Sequence, residues 1–100
     1  MRWVRRFWGE EGIWFYFELD EQGWVTRQIE LQGRDRIPIA AASSSEWLTE
    51  QQAGRIQQYL TRFGGVADKP IPPDEINDYE PLPEDAFEQV WQAARRHLGE

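Results

Sequence analysis

The stretch from Ile13 to Leu31 leaves this chain little choice of fold. Ile13-Trp-Phe-Tyr-Phe-Glu-Leu19 is a nearly continuous apolar run of strand length, rich in aromatic side chains. Asp20-Glu21-Gln22-Gly23 follows as a turn, and Trp24 to Leu31 then alternates apolar and polar residues. Two such runs around a short glycine-containing turn predict an antiparallel β-hairpin. Pairing Leu19 with Trp24 sets Phe17 against Thr26, Tyr16 against Arg27 and Phe15 against Gln28. In that register Trp14, Tyr16, Glu18, Val25, Arg27 and Ile29 share one side, while Ile13, Phe15, Phe17, Leu19, Trp24, Thr26, Gln28 and Glu30 share the other. Both faces carry large apolar groups, so part of the second face is either covered by a later segment or used for binding.

The rest of the chain builds on this hairpin. Residues 3–8 add an aromatic strand, and residues 36–42 a short fourth strand that Pro38 restricts to an edge. Ser43 with Glu46, and Thr49 with Gln52, form capping boxes ahead of an apolar face of Leu48, Ile56, Tyr59, Leu60 and Phe63. Gly64-Gly65 supplies a stop, so a helix is expected over about 46–63, weakened at Gly54 by ~1 kcal/mol relative to Ala. Residues 66–82 hold four of the six prolines and show no periodicity, which predicts an extended surface segment. Pro83, Glu84 and Asp85, the stripe Phe87, Val90, Trp91, Ala94 and Leu98, and the closing Arg95, Arg96 and His97 predict a helix over 84–98. The expected architecture is a single α+β domain over residues 1–100, a three- to four-stranded antiparallel meander packed against these two helices. Phe87, Trp91, Phe15 and Phe17 are expected in its core, with Trp8 and Trp47 the most exposed indoles.

The formal charge is −7, and eight of the acids lie between Asp68 and Glu88, where Lys69 is the only cation. Such a surface repels a phosphate backbone, which argues against nucleic acid and for a basic protein as partner. Cysteine is absent, so there is no disulfide and no thiolate site. Charged residues at 2, 5, 6, 10 and 11 leave no apolar run of signal-peptide or membrane-span length at the start of the chain. A cytoplasmic monomer without membrane association is therefore expected. Self-association through the edge at Trp3 to Trp8 is the competing reading, and Arg2, Arg5 and Arg6 oppose it.

No residue constellation points to catalysis. His97, the one histidine, stands beside two arginines at a helix end, where it complements the dipole. Ser43 to Ser45 read as a cap, and Glu18 and Glu30 fall on opposite faces of the sheet. Asp74, Glu75, Asp78 and Glu80 lack the spacing and the glycine of a calcium loop. No enzyme, cofactor or metal is expected. The leading functional reading is a non-enzymatic protein-binding module, of the immunity or antitoxin kind, that presents Asp74, Glu75, Ile76, Asp78, Tyr79 and Glu80 to a basic partner. The alternative is a small-ligand-binding or enzymatic domain using the sheet face around Trp14, Tyr16 and Arg27, where rings stack a flat ligand and the guanidinium holds an anion. Trp3, Arg5, Arg6, Phe7 and Trp8 also combine residue types common at interface hot spots.

Three blocks carry a family resemblance: E-L-D-x-x-G-W with the R-x-I-E after it, K-P-I-P-P-D-E-I-N, and E-D-A-F-E-Q-V-W. In this order they resemble a family of small uncharacterised bacterial proteins, over residues 1–31 and 66–92. The resemblance implies a small cytoplasmic α+β domain and brings no functional residue. Residues 43–63 depart from it, since that region of the family looks shorter and more extended.

Overall fold

The computed structural model describes residues 1–99. Four strands, β1 (Arg2–Trp8), β2 (Ile13–Leu19), β3 (Val25–Gln32) and β4 (Ile37–Ser43), form an antiparallel meander. Three helices follow: α1 (Ser44–Gln52), α2 (Ile56–Phe63) and the short α3 (Pro73–Ile76). A two-residue strand, β5 (Glu80–Pro81), then pairs with β1, and α4 (Glu84–Leu98) ends the described chain. The sheet order is β4-β3-β2-β1-β5. The fold is α+β as expected, with one strand more than the meander read from the sequence.

The central hairpin forms, but two residues out of the expected register. Tyr16 lies opposite Ile29, Phe17 opposite Gln28 and Phe15 opposite Glu30. The cause is local. Asp20 Oδ1 accepts from the backbone N–H groups of Gln22 and Trp24, which holds a wider turn, and the ladder shifts again beside Glu18 and Leu19. Thr26 is the extra residue of that bulge, and its hydroxyl donates to Glu18 Oε1 at 2.7 Å. The bulge returns Val25 to the Leu19 side and brings Arg27 directly opposite Glu18.

The sheet has an apolar core on each face. On the first, α4 lays Phe87 and Ala94 over Tyr16, Ile29, Leu31 and Ala41. On the second, Val4, Phe17, Leu19 and Val25 are covered by Ile71 and Ile76. Phe17 is in the core as expected and Phe15 packs against it in part, but both stand on the face opposite α4, the cover of which is the segment 66–79. That segment is not a free surface strap. It docks through Ile71 N–H, which donates to Gly23 O at 2.9 Å, and through Ala67 N–H, which donates to Gln28 Oε1.

The expected helix over 46–63 is two helices. Gly54 takes φ +76°, a left-handed conformation that ends α1, and α2 restarts at Ile56. Ser43 caps α1 as expected, accepting from Glu46 N–H at 3.1 Å. The indoles also differ in part. Trp8 is 50% exposed, whereas Trp47 is half-buried and Trp24 takes its place at 46%. Trp91 is only partly buried, and Phe87, completely enclosed, is the core residue of α4.

Candidate functional site

The acidic segment is held in place by its apolar residues. Pro72 and Pro73 start α3, and Ile71 and Ile76, both buried, turn one side of the segment onto the sheet. Asp74, Glu75 and Asp78 are left exposed on the outer side. Ile76, expected at the surface, is instead a core residue. Glu80 is exposed but engaged: Arg5 donates from Nε and Nη2 to its two carboxylate oxygens at 3.1 and 3.0 Å. That bidentate pair holds the Glu80 carboxyl below the usual range. Tyr79 is half-buried, its ring 5.8 Å from that of Phe17 with the Arg6 guanidinium 5.4 Å from its centroid. Burial, reinforced by the Glu75 charge, raises its phenol pKa.

Beside α3 lies the tip of the β1–β2 hairpin. Phe7 and Trp8 end β1 half exposed, and the N–H groups of Glu11 and Gly12 close the turn onto Trp8 O. Trp8 meets Phe15 edge-on at 6.2 Å, and Phe7 tilts against Trp14 at 5.3 Å. A cleft of about 470 Å³ joins tip and helix, lined by Arg6, Phe7, Trp8, Gly9 and Glu10 from the tip and by Glu75 from α3. Two groups far apart in the sequence, the aromatic tip and the acidic helix, become one surface.

The alternative site is not assembled. Tyr16 is buried beneath α4, and its hydroxyl accepts from Arg5 Nη1 at 3.2 Å. Trp14 is half-buried between Arg5 and Arg36, whose guanidinium carbons lie 4.7 and 4.9 Å from its ring centroid. Arg27 is committed to Glu18 at 2.6 Å and to Glu88, with Phe87 and Trp91 against its guanidinium. No ring of this set is left as a stacking platform, and Arg27 has its counter-ions already.

Around Trp91 the structure builds a charged network of which only Arg27 was expected at a binding site. Arg95, assigned above to the helix dipole, turns inward and is 4% exposed. Its Nε donates to Ala41 O at 2.8 Å, its Nη2 pairs with Glu46, and its guanidinium stacks on Phe63 and Trp91 at 4.0 and 4.4 Å. The available signal was spacing: Arg95 follows Trp91 by four residues, on the same helix face. Burial opposes ionisation of Glu18, yet hydrogen bonds from Arg27, Thr26 and Trp3 outweigh it and hold the carboxyl down at about 2. Glu46 is lowered in the same way by Arg95 and Tyr59. Among the described residues, three acids, Glu18, Glu46 and Glu88, stand against two arginines, so the network offers no excess positive charge of the kind that an anion requires. It is an internal brace joining sheet, α1 and α4.

Ser43 to Ser45 belong to the α1 cap, and His97 is exposed on α4. Among the described residues, no group of three or more His, Cys, Asp or Glu is placed to hold a metal ion, and no helix is long and apolar enough to cross a membrane. The three sequence blocks around E-L-D-x-x-G-W, K-P-I-P-P-D-E-I-N and E-D-A-F-E-Q-V-W meet each other: Gly23 of the first touches Ile71 of the second, and Glu18 of the first shares Arg27 with Glu88 of the third. Comparison with protein-family models, curated proteins and solved structures finds no match for this chain.

Proposed function

We propose that this protein is a non-enzymatic protein-binding module, of the kind that immunity proteins and antitoxins exemplify, and that it offers α3 and the β1–β2 tip to a basic partner. The observation that carries this reading is the cleft in which exposed Phe7 and Trp8 stand beside Glu10 and Glu75. Indole and phenyl groups supply apolar area of the type that dominates interface energetics, and the surrounding carboxylates steer and select a cationic surface. The interacting set is Asp74, Glu75, Asp78 and Tyr79 with Phe7, Trp8 and Glu10, while Ile76 and Glu80 serve the fold. We read the three sequence blocks as a frame shared with small bacterial proteins of similar size, because their mutual contacts give each a structural reason to be kept.

The test is a triple reversal, Asp74→Lys, Glu75→Lys and Asp78→Lys, with Glu80 left in place so that its pair with Arg5 survives. Affinity purification with the unaltered protein identifies the partner, and titration with that purified partner then compares the two forms. The reversed protein should lose about a hundredfold in affinity, mostly in association rate, and keep its melting temperature. Equal affinities would remove α3 from the interface.

A further inference from the structure

The second face of the sheet is not covered to its end. Residues 66–79 close over Val4, Phe17, Leu19 and Val25, while towards the hairpin tip Phe15 packs only partly against this cluster and Trp8 stays half exposed, although Ile13 opposite it is buried. There Trp8 lies opposite Ile13 and Phe15 lies opposite Glu30, so their side chains share this face. Phe15 is half-buried, and Trp8, edge-on to it, is half exposed.

Glu30 is the unusual member of this shelf. Its side chain is partly buried, and its Oε2 accepts from Gln28 Nε2 at 3.1 Å; the Gln28 amide is in turn fixed by Ala67 N–H at 2.8 Å. Among the described residues, Glu30 has no ion pair and its Oε1 has no protein donor. Burial raises its pKa, and the nearby charge of Glu11 raises it further. Glu18, Glu46 and Glu80 each pair with an arginine, whereas Glu30 is oriented, partly buried and, among the described residues, without an ion-pair partner, the arginine of this face, Arg6, lying against Tyr79 instead.

We infer that the Trp8–Phe15–Glu30 shelf is a receptor for an arginine side chain of the partner protein. Arginine fits better than lysine for two reasons: its planar guanidinium stacks on an aromatic ring, and it reaches a carboxylate through paired N–H donors. Its aliphatic stem lies along the rings while its charge neutralises a carboxylate that is already partly stripped of water. The inference rests on the basic-partner reading above and adds to it a second, separate anchor. Asp74, Glu75 and Asp78 steer at long range, and the shelf receives one residue.

The probe is N-acetyl-arginine methylamide, with the lysine and citrulline analogues as controls, titrated into the full chain. Nuclear magnetic resonance follows the Trp8 indole N–H and the Glu30 side-chain carboxyl carbon. The arginine probe should shift both signals saturably and lower the Glu30 pKa. The lysine probe should bind about fivefold more weakly, and neutral citrulline should not bind. Glu30→Gln, checked to be folded by its amide spectrum, should abolish the Trp8 response. The variant with Asp74, Glu75 and Asp78 reversed should retain it, so failure of the shelf and failure of the α3 surface are read separately. Equal responses to arginine and citrulline, or arginine shifts confined to α3, overturn the inference.

Discussion

At the scale of single residues, the carboxylates divide by sign. Glu18, held at about 2 by Arg27, Thr26 and Trp3, and Glu46, lowered by Arg95 and Tyr59, both ionise more easily folded than unfolded. Their contribution is complete above the unfolded value of 4.5 and is lost as pH falls through the lower folded values. Glu30 is opposite: its raised pKa favours folding below 4.5, and that benefit disappears as pH rises through the folded value. Urea denaturation should therefore show Glu18→Gln less stable by about 2 kcal/mol at neutral pH, with the difference shrinking between about pH 5 and pH 2. Glu30→Gln should be slightly more stable than the parent at neutral pH and equal to it at about pH 3. A parent whose stability does not decline on acidification would contradict the assignment of Glu18.

At the scale of elements, the glycines separate two kinds of turn. Gly23 takes φ +86°, and a Cβ there would stand 2.6 Å from Ile71 O. Gly33 takes φ +80° with nothing within 4 Å of that position. Gly33→Ala should cost about 1 kcal/mol for the left-handed backbone alone, whereas Gly23→Ala should cost ~3 kcal/mol or more because the cover segment must lift. Thermal melts of the two variants decide it, and equal losses would mean that residues 66–79 dock loosely. The same residues explain what was legible in the sequence. The apolar run of β2, the alternation of β3 and the stripe Phe87–Leu98 of α4 announce these elements because each is a pattern that burial imposes. The Thr26 bulge has no period, so the hairpin was readable and its register was not. Gly54 gave a genuine signal for a helix end, which Leu48 and Tyr59 in nearly matching helical phase obscured. Ile71 and Ile76 are isolated apolar residues among prolines, and nothing local distinguishes such a segment pressed on a sheet from one in solvent. For the site, the acids were legible as charge and the tip as aromatic residues. Their meeting at one cleft depends on β5 returning beside β1, a contact across most of the chain.

At the scale of the whole molecule, the sheet is a sequential meander closed at one edge by β5 and braced at the other. Along the outer edge of β4, Ser43 N–H donates to the Tyr59 hydroxyl and Ala41 O accepts from Arg95. Side chains thus occupy backbone groups that a second strand would otherwise pair with, and Pro38 removes one donor from the remainder of that edge. The charge has a comparable layout: the paired acids join elements, and the unpaired Asp74, Glu75 and Asp78 face outward. The cover on each face has one further consequence, which concerns order in time. The first 43 residues supply the whole ladder from β1 through β2 and β3 to β4, but both apolar covers, Ile71 with Ile76 and Phe87 with Ala94, lie later in the chain. A growing polypeptide therefore exposes a two-sided sticky sheet until its last third emerges, and a fragment of residues 1–65 should bind the dye anilinonaphthalene sulfonate strongly where the full chain does not. Synthesis of this protein is a race between the arrival of its own cover and capture by whatever else is apolar nearby.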